Sequence, residues 1–309
     1  MVPDERPSRP PRRRVDGVLL LDKPHGLSSN AALQRAKHLY AAEKAGHTGT
    51  LDPLATGLLP LCFGDATKFA HALLDARKEY VASVLFGSAT TTGDAEGETL
   101  RTCAVTFSRA DLVSALSRFI GTFAQTPPAY AALKFRGRNY YEYARAGIDI
   151  PRAPREIEIT ALELVDWSPP LAVLRVACGK GTYIRVLAED VAAAVDSCAH
   201  LAALRRTAAG PFALEGAVTL EALEAMGSAA RDALLLPADA ALAGVARLDV
   251  DAPSAQALVH GRVANAPPET SGKYRCYGPR GAFLGLVESA GGTLRAVRLA
   301  RTDAPLGNL

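Results

Sequence analysis

Nothing in the 309 residues approaches the roughly eighteen uninterrupted apolar residues of a membrane-spanning helix, and the opening MVPDERPSRPPRRRVDG lacks the apolar core of a secretion signal. Both absences lead to the expectation of a cytoplasmic protein. Cysteine is scarce and scattered. Cys62, Cys103, Cys178, Cys198 and Cys276 are odd in number and include no C-x-x-C pair, which argues against a disulfide framework or a zinc site and predicts reduced, mostly buried thiols. Charge of one sign is missing as well. The formal net charge of +3 is already contained in residues 1–14, where five arginines face Asp4 and Glu5, so the remainder is neutral overall. Any nucleic-acid surface must therefore come from local clustering. There is no dinucleotide-binding glycine loop and no evident His-Ser-Asp set, which leaves a small-molecule hydrolase a distant alternative.

The pattern that is present reads as one large domain followed by a small one, without tandem repeats. Residues 1–14, rich in Pro and Arg, form a disordered or extended arm that either brushes nucleic acid or is simply solvated. GVLLLD at 17–22 is an apolar strand ending in the LDKPHGLSS turn, and Ser28, Ser29 and Asn30 are natural caps for the helix that follows. LLPLCFG and EYVASVLFG read as strands, DATKFAHALLD as a capped helix, and SATTTGDAEGET as a polar loop. SRADLVSALSRFIGT carries a Ser cap and helical apolar spacing. Strands resume at EIEITALELVDW and LAVLRVACG; TYIRVLAEDVAAAVDSC is a strand edge entering a helix, and HLAALRRTAAGPF is another strand. Residues 221–245 are an Ala-rich helical and linker region. From Arg247 onward, short strands and glycine turns predict a separate β domain of about 60 residues.

Two stretches ask for a function. In GHTGTLDPLATGLLP, residues 46–60, a single carboxylate sits in a rigid setting: Gly46, Gly49 and Gly57 allow unusual backbone angles and Pro53 restricts Asp52. An Asp-Pro turn satisfied by its own loop is one reading, a functional carboxylate the other. In the 125–155 segment, Lys134, Arg136, Arg138, Arg145, Arg152 and Arg155 outnumber Glu142 and Asp149, a local +4 interleaved with Tyr140, Tyr141 and Tyr143. Cations and aromatics together suit phosphates and exposed bases, whereas a solvated helix with its tyrosines turned to the core is the alternative.

The chain closely resembles the bacterial TruB tRNA pseudouridine synthases. LDKPHGLSS, AGHTGTLDPLATGLLPLC, KEYVA, TTTGDAEGE, QTPPAYAALK, CGKGTYIR and HLAALRRTAAGPF lie in the family's order and span residues 15 to about 220. The resemblance implies an α+β fold: a large mixed, mainly antiparallel sheet with flanking helices over residues 15–235, then a PUA-like RNA-binding domain over 247–305. It also implies conversion of the T-loop uridine at tRNA position 55 to pseudouridine. That reaction breaks the bond between C1′ and N1, turns the base and rejoins C1′ to C5, with no metal or other cofactor. The implied partner is tRNA, through its T arm and, via the C-terminal domain, its acceptor end; no protein partner is required and a monomer is expected.

By resemblance, Asp52 is the catalytic carboxylate, and attack at C1′, addition at C6 and a glycal route all stay open for it. Arg185 pairs with Asp52 and is expected to keep it ionised. Tyr80 lies beside the uracil and serves in removing the C5 proton. Tyr183 packs on the substrate from the other side, and His47 fills the gap left when the nucleotide flips out. Lys23 supports the substrate pocket, and Leu204 touches the flipped uridine through its backbone. Lys134, Arg136, Arg138 and Arg145 grip RNA. Ala131 stands where the family usually has a serine, and the residues near Thr90 lack the charge often seen there. A non-catalytic tRNA-binding or folding protein and a guide-RNA-dependent synthase are the competing readings.

Overall fold

The structure, a computed structural model, describes residues 12–301. A ten-stranded sheet dominates. Its path runs Val218–Thr219, Gly17–Lys23, Thr56–Phe63, Ala199–Ala209, Lys78–Phe86, Leu171–Cys178, Arg155–Ser168 and Gly121–Gln125. Val218–Thr219 with Gly17–Lys23, and Ala199–Ala209 with Thr56–Phe63, are parallel; the other neighbours on the path are antiparallel. The mixed, mainly antiparallel sheet implied by the resemblance is thus present. The Thr56–Phe63 and Ala199–Ala209 strands pair only through Arg205 with Thr56 and Arg206 with Gly57. That short seam lies directly after the aspartate loop.

Alternation along Lys78–Phe86 places Lys78, Tyr80, Ala82, Val84 and Phe86 on the buried side, the period-2 pattern of a strand with one covered face. Helices Ser29–Leu39 and Ile184–Ala193 cover the sheet with Ala32, Leu33, Ala36, Leu187, Ala188 and Val191 inward. Ser28 caps the first of them, its side chain accepting from the Ala31 amide at 3.1 Å. The helix expected from SRADLVSALSRFIGT is shorter than its apolar pattern: it covers Arg109–Ser117 with a Ser108–Asp111 capping box, and Gly121 opens an edge strand. DATKFAHALLD divides into a 3₁₀ turn, Gly64–Lys68, and the helix Ala70–Asp75. The polar stretch after Gly87 is a hairpin rather than a loop, Ser88–Thr90 pairing with Thr99–Thr102.

The expectation of five reduced cysteines is corrected by a disulfide between Cys103 and Cys198. Their separation of 95 residues hides the pair in the sequence. Gly87 brings them together: its carbonyl accepts from the Cys103 amide at 2.9 Å and its amide donates to the Cys198 carbonyl at 2.8 Å. Cys62, Cys178 and Cys276 are free and buried, as expected. The basic arm is fixed at its inner end. Arg13 donates to Asp232 at 2.8 Å and to the Tyr40 carbonyl at 3.0 Å. Residues 1–11 of the expected arm lie outside the described residues.

A second sheet, Arg247–Asp249, Gly272–Tyr277, Phe283–Ala290, Thr293–Leu299 and Ala264–Asn265, forms the C-terminal β domain with its own small core around Leu258, Cys276, Leu284 and Val287. It is docked. Phe283, Leu286 and Ala300 pack against the cluster of Phe69, Leu73 and Leu242, with the Phe69 and Phe283 rings 5.4 Å apart. Lys68 Nζ donates to the Leu299 carbonyl at 3.1 Å, and the Tyr277 hydroxyl donates to Asp239. Phe283→Ala is expected to destabilise the protein by about 2–3 kcal/mol, below the usual cost of a core Phe→Ala because part of the ring stays accessible. Denaturant unfolding checks this. An unchanged midpoint would mean that the two sheets are joined by the linker alone.

Candidate active site

Asp52 sits on a loop pinned from several sides. Ser29 at the start of the first helix accepts from the Leu51 amide at 2.7 Å and donates to the Leu51 carbonyl at 3.0 Å. The Pro53 carbonyl accepts from the Gly26 amide at 2.9 Å, and the Asp52 carbonyl accepts from the Ala55 amide at 3.1 Å. Leu51, Leu54 and Ala55 are buried, so the apolar residues anchor the loop and Asp52 faces out. Gly57 has φ of +98°, and a Cβ there would stand 2.3 Å from the Arg206 carbonyl oxygen. Gly46 has no such requirement; its position is open.

The carboxylate meets the Arg185 guanidinium, Nη2 to Oδ2 at 3.0 Å, so the self-satisfied turn is not the arrangement adopted. Arg185 comes from the first turn of the Ile184–Ala193 helix and is almost wholly buried. Its remaining donors reach the Thr92 carbonyl at 2.9 Å and the Tyr130 carbonyl at 2.7 Å, while Nε lies 3.7 Å from Asp94 Oδ2. Asp94 is buried and accepts from Thr92 Oγ1 at 2.5 Å and from the Glu96 amide at 3.1 Å. One arginine therefore serves two carboxylates and ties together three separate loops.

Asp52, Tyr80, Tyr183, Arg185 and Leu204 line one cavity of about 390 Å³, together with Lys78, Ala131 and Arg206. Tyr183 is set by the buried Gln125, which donates to its carbonyl at 3.1 Å and accepts from its amide at 2.8 Å. The Leu204 carbonyl accepts from Thr56 Oγ1 at 3.4 Å. Two expected substrate residues stand elsewhere. Lys23 is wholly buried beneath the loop, its ammonium donating to the Pro24, Leu27 and Pro53 carbonyls at 2.9, 2.6 and 3.5 Å. It fastens the residue after Asp52 from beneath and is not among the residues lining the cavity. His47 lies in the Ala45–His47 strand outside the cavity lining, and its buried Nδ1 has no hydrogen-bond partner among the described residues.

Residues 37–184 match the TruB family pseudouridylate synthase N-terminal domain, 185–243 the tRNA pseudouridylate synthase B C-terminal domain, and 245–301 the tRNA pseudouridine synthase II C-terminal segment. The chain belongs to the TruB family. It is 52% identical to a protein named tRNA pseudouridine synthase B from Thiobacillus denitrificans, over 95% of this chain and 99% of that protein. The protein of the same name from Cupriavidus metallidurans is also 52% identical, with 96% and 98% covered. Among solved structures, a chain of a Cbf5-Nop10-Gar1 complex superposes with a TM-score of 0.72 at 24% identity, covering 94% of this chain and 86% of that one. A chain of an H/ACA RNP bound to a substrate RNA containing 2′-deoxyuridine gives a TM-score of 0.70 at 21% identity, with 93% and 86% covered. At these identities the likeness is one of fold.

The electrostatics of this TruB site differ from the simple pairing expected. Burial pushes the Asp52 carboxyl above the ordinary carboxylate range and Asp94 adds to the rise; Arg185 and Lys23 oppose it without reversing it. The side chain still keeps 41% of its surface accessible, so water moderates the effect. Burial, reinforced by the Arg206 charge, lowers the His47 imidazole. Burial brings both Lys23 and Lys78 down to about 8. Sequence reasoning misses Asp94, Gln125 and Arg206. All three lie within the family's motifs, but nothing in their spacing shows that they face the cavity or the residues lining it.

In the 125–155 segment, a hairpin of Lys134–Phe135 with Arg138–Asn139 leads into the helix Tyr140–Arg145. Arg136 lies 5.2 Å from the Phe135 ring centroid, Arg138 4.9 Å from Tyr143 and Arg145 5.4 Å from Tyr141. Tyr140 alone of the three tyrosines is buried. A guanidinium held against a ring can still donate from its N–H edge, a geometry suited to phosphate, and Arg138 also pairs with Glu142 at 3.6 Å.

Proposed function

We propose that this protein isomerises uridine to pseudouridine at position 55 in the T loop of tRNA, acting on the tRNA without a guide RNA. The observation that carries the reading is the Asp52–Arg185 pair at 3.0 Å in the wall of a cavity that also presents Tyr80 and Tyr183. Names and near full-length identity of the relatives support tRNA as the substrate.

The bond between C1′ and N1 is the one broken. A rigidly held carboxylate beside C1′ stabilises the positive charge that develops there or captures it covalently, and both require the ionised form. Arg185 holds the carboxylate in place through its own buried contacts. Tyr80 and Tyr183 confine the detached uracil while it turns, and loss of the C5 proton after C1′–C5 bonding restores the aromatic product, a step to which Tyr80 is assigned. A uridine within a folded loop must leave its stack to reach such a cavity. His47, five residues before Asp52, is assigned to the space it vacates; a neutral imidazole, favoured by burial, suits stacking in place of a base. The C-terminal domain, docked beside the Gly64–Lys68 turn, is assigned to the acceptor end of the same tRNA, and the working unit to a monomer.

The test is to incubate the purified protein alone with unmodified tRNA and map pseudouridine. Modification at position 55 is expected. Modification elsewhere, or none until a guide RNA is added, would overturn the assignment.

The basic segment makes a separate prediction. Replacing Arg136, Arg138 and Arg145 together with glutamine is expected to weaken tRNA binding and flatten its dependence on salt, the slope of log K against log[salt] falling by about 0.7–0.9 for each phosphate no longer neutralised. Titrations at several salt concentrations measure the slope, and an unchanged value would return these arginines to the solvated surface.

A further inference from the structure

We infer that Arg206 is a positioning residue for the isomerisation: one buried guanidinium that fixes both ends of the aspartate loop beside the strand that carries Tyr80. The inference rests on the role proposed for Asp52. Arg206 is 1% exposed, one of the largest fully buried side chains in the described structure. Among the described residues it has no carboxylate partner within ion-pair distance, and burying a cation in that state is costly unless its donors are well used.

Its donors are spent on the site. Nε donates to the Leu58 carbonyl at 2.7 Å and Nη2 approaches the Gly49 carbonyl at 3.5 Å, so the two ends of the loop that carries Asp52 are held by one side chain. The tight approach of Gly57 to the Arg206 backbone closes the same seam. Across the sheet, Arg206 stands directly opposite Tyr80 in register, and both line the cavity. The Arg206 charge also works against the rise that burial imposes on the Tyr80 phenol.

A guanidinium offers its donors in a fixed planar fork. Directed at the Leu58 and Gly49 carbonyls, that fork holds the loop on both sides of Asp52, so the carboxylate keeps its place in the cavity wall beside the Tyr80 strand. A lysine would supply the charge as a single point and could not span two carbonyls in the same way.

The experiment compares Arg206→Met and Arg206→Lys, each alone and combined with Tyr80→Phe, by single-turnover rate at saturating tRNA, tRNA affinity and thermal melting. The expected result is a fall of about 100-fold in rate per folded molecule for Arg206→Met, no rescue by Arg206→Lys, and tRNA affinity within about threefold of normal. In the Tyr80→Phe background the further loss is expected to be smaller than in the parent, since Arg206 faces Tyr80 across the sheet and its charge acts on the phenol. Normal turnover, a loss that follows only the folded fraction, a loss in affinity alone, or losses that multiply fully with Tyr80→Phe would each overturn the inference. Asp52→Asn is run beside them. If it too is active, the underlying assignment falls; if it is inert while Arg206→Met is normal, only the role of Arg206 falls.

Discussion

Asp52→Asn is expected to abolish pseudouridine formation, by on the order of 10³-fold or more, while folding and tRNA binding stay close to normal. Asparagine preserves the size and shape of the side chain, and the loop is held by Ser29, Gly26 and Lys23 through backbone carbonyls and amides that the substitution does not touch. The charge is what changes. Removing it also relieves one of two carboxylates around Arg185, leaving Asp94 as its partner, so no buried cation is stranded. Stability is therefore expected to be unchanged or slightly higher. Turnover measured by pseudouridine mapping, with tRNA affinity and melting measured on the same preparation, checks all three. Conversion within a few fold of the parent would remove Asp52 from the chemistry.

Arg185→Met is expected to fail differently, losing stability as well as rate. The arginine and Asp94 are both nearly inaccessible, with side-chain exposures of 6% and 5%, so removal of the cation leaves a buried carboxylate without its charge partner and the Thr92 and Tyr130 carbonyls without a donor. Breaking such an arrangement costs about 3–5 kcal/mol. Activity is expected to fall by about 10²–10³-fold. The pH dependence carries the sharper test. In the parent, burial and Asp94 raise the Asp52 carboxyl and Arg185 pulls it back. Activity that needs the carboxylate is present above this raised pKa and lost as pH falls through it; without Arg185 the acid limb of kcat/KM moves to higher pH. Arg185→Lys restores charge without the full set of donors, so its limb is expected to return toward that of the parent while its rate does not. Identical limbs in all three proteins would show that the pairing does not govern Asp52.

Much of this molecule is legible in its sequence because the relevant signals are local. Alternation in KEYVASVLF, apolar runs in GVLLLDK and TGLLPLCF, and the cap at Ser28 specify strands and a helix within a few residues of themselves. The aspartate loop announces itself by its glycines and Pro53, and the order of the motifs is enough to identify the family. Where apolar spacing crosses a breaker the sequence misleads: Ile120 continues the helical pattern, yet Gly121 already begins a strand.

The sequence by itself determined most of the elements, the family and the presence of Asp52, Tyr80, Tyr183 and Arg185. Only the tertiary structure decided what surrounds them. Lys23 and Arg206 read alike as cations in family motifs; one proves to be a buried clasp under the loop, the other a cavity wall shared with Tyr80. Asp94 reaches Arg185, and Cys103 reaches Cys198, through chain crossings of about ninety residues. Burial then raises the Asp52 carboxyl against the pull of its arginine. The physical reason is the same in each case. Desolvation and long-range partners depend on what the rest of the chain brings to a position, and neither period nor spacing along the chain records that.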